Sequence, residues 1–293
     1  MMRRLGKIRD YAIEKMIFIS GIAAIIFVIL IFSFLVREGG SFFGEYDLKN
    51  FILGHFWYPA SDPPRFGILP LIMGSLVIVL GAGILAVPLG VMAALYISEV
   101  APKGLKDLLK AGVEMLAAIP SVVVGFVGMV TLVPFIKTAF NIPTGLTALS
   151  GCIMLAFMAM PTIVSISEDA INAVPWNYKE GALALGATKW QIMYRIILPA
   201  AAPGIIAAVM LGIGRVIGET MAVMMVTGNA AVIPSGFLEP VRTLTATIAA
   251  EMGETVRGSS HYKSLFAIGA VLFVITFIIN FIADTYLHKN KEQ

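Results

Sequence analysis

Apolar residues along this 293-residue chain gather in long blocks instead of alternating with the period of an amphipathic helix or strand. Six blocks reach about 20 residues or more, the length at which a helix crosses a bilayer. They run approximately over Met16–Val36, Ile68–Ile97, Ala111–Ile136, Gly145–Ser167, Ala200–Val226 and Leu265–Leu287. The pattern predicts an all-α polytopic membrane protein with six transmembrane helices: a segment 1–15, one transmembrane domain over 16–287, and a tail over 288–293. Met16–Val36 is too long for the apolar part of a secretory leader, and no small-residue cleavage site follows it, so it is expected to remain as the first span.

Charge between the blocks predicts the orientation. The N-terminal segment holds Arg3, Arg4, Lys7, Arg9 and Lys15, the second loop Lys103, Lys106 and Lys110, the fourth Lys179, Lys189 and Arg195, and the tail Lys289 and Lys291. The opposite loops hold only Arg37, Lys49, Arg65, Lys137, Arg242, Arg257 and Lys263, spread over longer stretches. Basic residues near span ends are retained on the cytoplasmic side, so both termini are expected there. Composition agrees, with 58% hydrophobic and 13% charged residues, against roughly 45–50% and about 25% in a soluble domain. The net charge of +3 is scattered and gives no nucleic-acid footprint.

Pro88, Pro120 and Pro161 fall inside apolar blocks and free backbone carbonyls, which predicts a packed bundle whose neighbours satisfy them; static kinks and hinges both fit. Gly214-x-x-x-Gly218 permits close helix contact without specifying a partner. Two external segments are too long for turns. Arg37–Gly67 carries Phe42, Phe43, Phe51, Phe56, Trp57 and Tyr58, expected to pack at the outer interface. Thr227–Ser264 contains the mildly apolar run Val241–Met252, which predicts a short external or re-entrant helix.

Nothing in the chain is equipped for covalent catalysis. It has no phosphate loop and no H-E-x-x-H, and Gly212, Gly214 and Gly218 have the wrong spacing for a dinucleotide site. His55, His261 and His288 form no ligand set, and Cys152 lies in an apolar block, where it reads as packing. No metal or cofactor is expected here, so any nucleotide that drives the protein is handled by another chain. The fourth loop, about 168–199, is the most informative cytoplasmic element. Pro175 suits a first helical turn, Trp176–Leu185 forms an amphipathic run, and Gly186 can take the left-handed conformation that stops it. Thr188-Lys189-Trp190-Gln191 then matches a capping box. The expected pair of short helices exposes Ala182, Leu183, Leu185, Trp190 and Met193, a surface suited to a docked partner or to the membrane face.

Glu180-Gly181-Ala182, Gly186 and, nine residues on, Ile196-Ile197-Leu198-Pro199 resemble the E-A-A-x-x-x-G-x9-I-x-L-P loop of ABC importer permeases, with Gly181 where the family usually has alanine. The resemblance implies that Glu180, Gly181, Ala182, Leu183, Gly186, Ala187 and Thr188 contact a cytoplasmic ATPase that holds ATP and Mg. The stretches Gly214–Val223, Pro240–Ala246 and Glu251–Glu254 are similar to the phosphate-specific permease subunits of the PstC type. That similarity implies a multi-pass protein of a prokaryotic cytoplasmic membrane. It also implies a heterodimer with a second permease subunit, two copies of the ATPase, an extracytoplasmic phosphate-binding protein, and phosphate as solute.

Read on their own, Arg215 and Glu219 stand near the middle of a long apolar block, where each charge costs roughly 2.5–3.5 kcal/mol on insertion scales. Their i, i+4 spacing puts them on one helix face, within pairing reach. This supports either a structural ion pair or an anion pathway, in which the guanidinium forks onto oxyanion oxygens while Glu219 moderates the grip or accepts the proton of hydrogen phosphate. The expected pathway residues are Arg215, Glu219, Thr220 and Arg242; Arg242, with Thr243 and Thr245, suits an outer mouth or simple solvation. Glu114 and Asp284 are expected to reach toward headgroups from span ends, and Glu251 and Glu254 receive no role. The rival readings are a permease for sulfate, molybdate or tungstate, a passive anion channel or membrane receptor, and, weakest, an intramembrane enzyme.

Overall fold

The computed structural model describes residues 2–289; Lys291 and the end of the tail lie outside the described residues. Helix α1 (Met2–Gly40) carries the first apolar block and lies along the last helix of the chain, with Phe32 stacked on Phe273 at 4.7 Å and Phe34 edge-on to Phe266 at 5.5 Å. Most of its apolar side chains from Met16 to Val36 are exposed, as a lipid-facing helix requires.

The segment that follows contains a 3-10 turn (Ser41–Gly44), α2 (Leu48–Leu53), capped by the Asp47 carboxylate on the Asn50 amide, and a two-residue antiparallel hairpin of β1 (Trp57–Tyr58) and β2 (Arg65–Phe66). Its aromatics form a core instead of an interfacial belt. Phe42, Phe51, Trp57 and Phe66 are buried with Leu71, Leu244 and Leu265, and Phe56 and Tyr58 stay outside. Edge-to-face geometry favours this cluster, with Phe42 within 5.3 Å of both Phe51 and Phe66. The Ser260 hydroxyl and then the Lys263 ammonium hydrogen-bond Glu45 and hold its carboxyl below the usual carboxylate range.

Helix α3 (Leu69–Leu95), with Pro70 in its first turn, runs through Pro88 into a π-helical turn at Tyr96–Val100. Next comes α4 (Lys103–Ala118), an amphipathic helix with no fully buried residue. The sequence placed a span from Ala111, but Pro120 stands at the N-cap of α5 (Ser121–Val127), preceded by Ile119 at φ −69°, ψ 126°. Proline pushes its predecessor out of the helical region, so the chain breaks here and the third span starts at Ser121. Glu114 is accordingly exposed on α4, outside the spans. A π-helical turn (Gly128–Leu132) joins α5 to α6 (Val133–Phe140).

The centre of the bundle is α7 (Ala148–Asn172), which retains Pro161 within a continuous helix and has more of its length buried than the other spans. Past it come α8 (Trp176–Ala184), α9 (Lys189–Ile192), a π-helical turn (Met193–Ile197), α10 (Leu198–Gly218), α11 (Met221–Val226), α12 (Leu244–Glu251) and α13 (Ser260–Lys289). Helix α12 is the short helix that the run Val241–Met252 led one to expect. Ile163 of α7 is wedged between two glycines. A Cβ on Gly90 of α3 would lie 2.8 Å from it, and one on Gly212 of α10 would lie 2.5 Å from it. Cys152 is buried against Gly81 of α3, a packing role. Among the described residues six helices are long and apolar enough to cross a membrane: Ile13–Gly44, Leu69–Val100, Ser121–Phe140, Ala148–Asn172, Lys189–Gly218 and Ser260–Ile282. The second and fourth loops meet at one end of the bundle, where Ser98 and Lys110 reach α7, and the hairpin meets α12 and α13 at the other.

Candidate functional site

At the α8 end the chain makes a tight double bend. Pro175 is the N-cap of α8, one residue before the turn expected to hold it, and Gly186 takes φ +79°. The capping box of α9 is formed: Thr188 Oγ1 accepts from the Gln191 amide at 3.3 Å, and Gln191 Oε1 accepts from the Thr188 amide at 2.8 Å. Leu183, Leu185 and Trp190 are exposed, Leu185 to 90%. Ala182 departs from expectation and is buried with Ile171, Ile192 and Ile197, while Met193 is half-buried. The cause is the left-handed turn, which folds the chain back so that the Ala187 amide donates to the Ala182 carbonyl at 3.0 Å. Glu180 is exposed and accepts from Trp176 Nε1 at 2.6 Å. Gly181 and Thr188 are exposed beside it.

The second place of interest is a break in the fifth span. The i, i+4 spacing of Arg215 and Glu219 predicts one continuous helix, but α10 ends at Gly218, and Glu219 is extended at φ −71°, ψ 133°. Arg215 therefore closes the last turn of α10, while the Glu219 carboxylate turns toward α11. It accepts from the Thr220 amide at 3.2 Å and the Ala222 amide at 3.4 Å, so the i, i+4 pair does not form. A carboxylate at a helix start satisfies free amides and complements the positive end of the helix dipole. Thr220 Oγ1 donates to the Gly218 carbonyl at 3.2 Å and is used up in closing the break.

Arg215 Nη1 lies 3.5 Å from Thr162 Oγ1 of α7, and among the described residues no carboxylate stands within ion-pair distance of the guanidinium. Arg215 and Glu219 still line one crevice, with Leu155, Met158, Ala159 and Val216, and it leaves no room for a water molecule.

Arg242 sits elsewhere. Its Nη1 donates to Glu251 at 2.7 Å and its Nε to the Asn229 carbonyl at 2.8 Å. Glu251 also receives Trp57 Nε1 at 3.1 Å and contacts His261 Nε2 at 2.8 Å, so one carboxylate ties four segments of the hairpin end together. This group lines an open cavity of ≈ 570 Å³ with Glu254, Tyr58 and Ser61. The two arginine sites are linked through one stretch of backbone. Thr245 Oγ1 donates to the Glu219 carbonyl at 3.0 Å, and Gly74 of α3 lets the Arg242 carbonyl approach closely. Thr162, the hydroxyl directly after Pro161, carried no signal in the sequence, and Glu251 received no role there because Trp57 and Arg242 meet it only in the fold. The side chain of Asp284 lies outside the described residues.

A six-span bundle with one span broken beside Arg215, and with a capped, exposed helix pair at one end, has the architecture of a membrane permease. Residues 86–291 match the model of a family described as the binding-protein-dependent transport system inner membrane component, and the chain belongs to that family. It is similar to a probable ABC transporter permease protein, YqgH, of Bacillus subtilis, with 41% identity covering 78% of this chain and 74% of that protein. It is 36% identical to the phosphate transport system permease protein PstC of Mesorhizobium japonicum, over 82% of this chain and 78% of the relative. A solved bacterial alginate ABC transporter, in complex with an alginate pentasaccharide-bound periplasmic protein, contains a chain of the same fold, with a TM-score of 0.64 and 16% identity over 94% of this chain and 93% of that one. The chain is thus a non-enzymatic, multi-pass inner-membrane subunit of an ABC importer, with the ATPase on a separate subunit.

Proposed function

We propose that this subunit forms half of the membrane pathway for inorganic phosphate, with Arg215 as the anion foothold and Glu219 beside it. The observation that carries the reading is the guanidinium at the end of α10, partly buried and facing a neutral hydroxyl, with no carboxylate within ion-pair distance among the described residues. A cation in a span is retained at a cost of a few kcal/mol only where protein, water or an anion compensates it, and intramembrane charges usually mark solute routes. Guanidinium offers a planar fork to phosphate oxygens. The Thr220 and Ala222 amides hold one oxygen of Glu219, and the other, without a partner among the described residues, is available to accept the proton of hydrogen phosphate, which sulfate lacks near neutral pH. The relative named for phosphate transport supports the same solute.

The crevice around Arg215 is too tight for an oxyanion in this state, so passage requires the helices around it to part. In this reading both termini are cytoplasmic, and Glu180, Gly181, Leu183, Gly186, Ala187 and Thr188, with the buried Ala182 supporting them from beneath, contact one of two ATPase copies, which hold ATP and Mg. A second permease subunit completes the path, and an extracytoplasmic phosphate-binding protein delivers the solute. Closure of the ATPases moves α8 and exposes the path alternately to either side. Arg242 stays with Glu251 at the outer cavity, a mouth on the way to Arg215. Uptake of labelled phosphate by the reconstituted complex tests the reading: unlabelled phosphate is expected to compete, whereas sulfate, molybdate and tungstate leave uptake unchanged. Equal competition by sulfate rejects phosphate selectivity.

A further inference from the structure

The side of α8 turned away from its exposed residues carries a contact that the pathway does not explain. Lys179 Nζ lies 2.6 Å from Glu99 Oε1, and the two side chains are 14% and 15% exposed. Lys179 also stands over the Trp176 ring at 5.3 Å from its centroid, which restrains the ammonium. Glu99 belongs to the π-helical turn that ends α3, and such turns are frequent at functional positions in helices. The neighbouring Ser98 donates to Asn172 Oδ1 at 2.7 Å, and Asn172 Nδ2 donates to Glu168 Oε1 at 2.6 Å. Glu168, buried in α7, also holds Lys110 at 2.7 Å and Lys106 at 3.3 Å from α4. The end of α3 is therefore fastened to α8 by one charge pair and, through Asn172, to the end of α7.

We propose that the Glu99–Lys179 pair is a strut, a positioning contact that delivers the movement of α8 to α3 and through it to Arg215. Nine residues up α3 from Glu99, about 14 Å along a helix, Gly90 receives Ile163 of α7. Ile163 is next to Thr162, whose hydroxyl faces Arg215, and it also packs on Gly212 of α10, one turn before Arg215. Close-packed contacts of this kind pass on displacement because interiors have little room to absorb it. A partly buried ion pair is less screened than a surface one and keeps its geometry. The proposal rests on the reading of α8 as the ATPase contact.

The test uses the full complex reconstituted in vesicles, with Glu99→Gln, Lys179→Gln, and the exchange variant carrying Glu99→Lys with Lys179→Glu. Each single variant is expected to hydrolyse ATP but to move at least about fivefold less phosphate per ATP, the lower end of ordinary coupling between sites. The exchange variant is expected to recover the native ratio. A pair that is only structural lowers both activities together and leaves the ratio unchanged, which overturns the proposal; so does an exchange variant as impaired as the singles. Where a single variant fails to assemble, the exchange variant decides alone. Spin labels at exposed Ile84 of α3 and Phe277 of α13 separate this idea from the choice of solute. Their ATP-driven change in separation is expected to vanish in Glu99→Gln whatever the importer carries, and its persistence counts against the strut.

Discussion

Replacing Arg215 with alanine is expected to cut phosphate uptake roughly a hundredfold while the complex still assembles. Among the described residues the guanidinium has only Thr162, at 3.5 Å, as a partner, so its removal strands no described carboxylate and leaves little for the fold to lose. What disappears is the group that compensates an anion in a poorly solvated passage. Truncating one member of a desolvated charged contact costs about 2–5 kcal/mol, and about 2.7 kcal/mol already corresponds to a hundredfold in rate. Arg215→Lys should fall between the two, because it keeps the charge and loses the fork. Initial uptake rates in vesicles, normalised to assembled complex, give the answer, and near-normal uptake by Arg215→Ala removes this residue from the pathway.

Gly74→Ala is expected to loosen the hairpin end and the helix break together. The added methyl would meet the Arg242 carbonyl, a backbone atom that cannot rotate aside, and overpacking of this kind typically costs about 1–3 kcal/mol. The displaced stretch carries the Leu244 amide, bonded to Ser75 Oγ at 3.0 Å, and the Thr245 hydroxyl, bonded to the Glu219 carbonyl at 3.0 Å. Amide hydrogen exchange over Leu244–Glu251 should therefore accelerate, and the break beside Arg215 should lose its outer support. Gly83→Ala, on the same helix with nothing within 4 Å of the new methyl, is the matched control. Equal exchange in the two variants shows that the close approach at Gly74 is not a support.

The spans were readable in the sequence because crossing a bilayer needs only length and apolarity, and those are local properties. The bend at Gly186 and the cap at Thr188 were readable for the same reason, since each is settled within four residues. Two boundaries were misread where a backbone break hides inside apolar composition. Ile119-Pro120 ends α4 without any polar residue, and the one sign was the proline itself. Gly218-Glu219-Thr220 did carry a signal, a carboxylate three residues before the Ala222 amide that it caps, but a hydropathy profile treats it as a charge within a span. The remaining contacts were out of reach. Trp57 and Glu251 are 194 residues apart, and Lys179 and Glu99 are 80 apart, so only the assembled bundle brings them together.

Cys152, 1% exposed and pressed against Gly81, is the chain's only thiol. Water-soluble maleimides cannot reach it, so reporter cysteines can be introduced singly into the unaltered sequence. Fluorophores or spin labels then read the working cycle of this subunit without a cysteine-free background that disturbs its core.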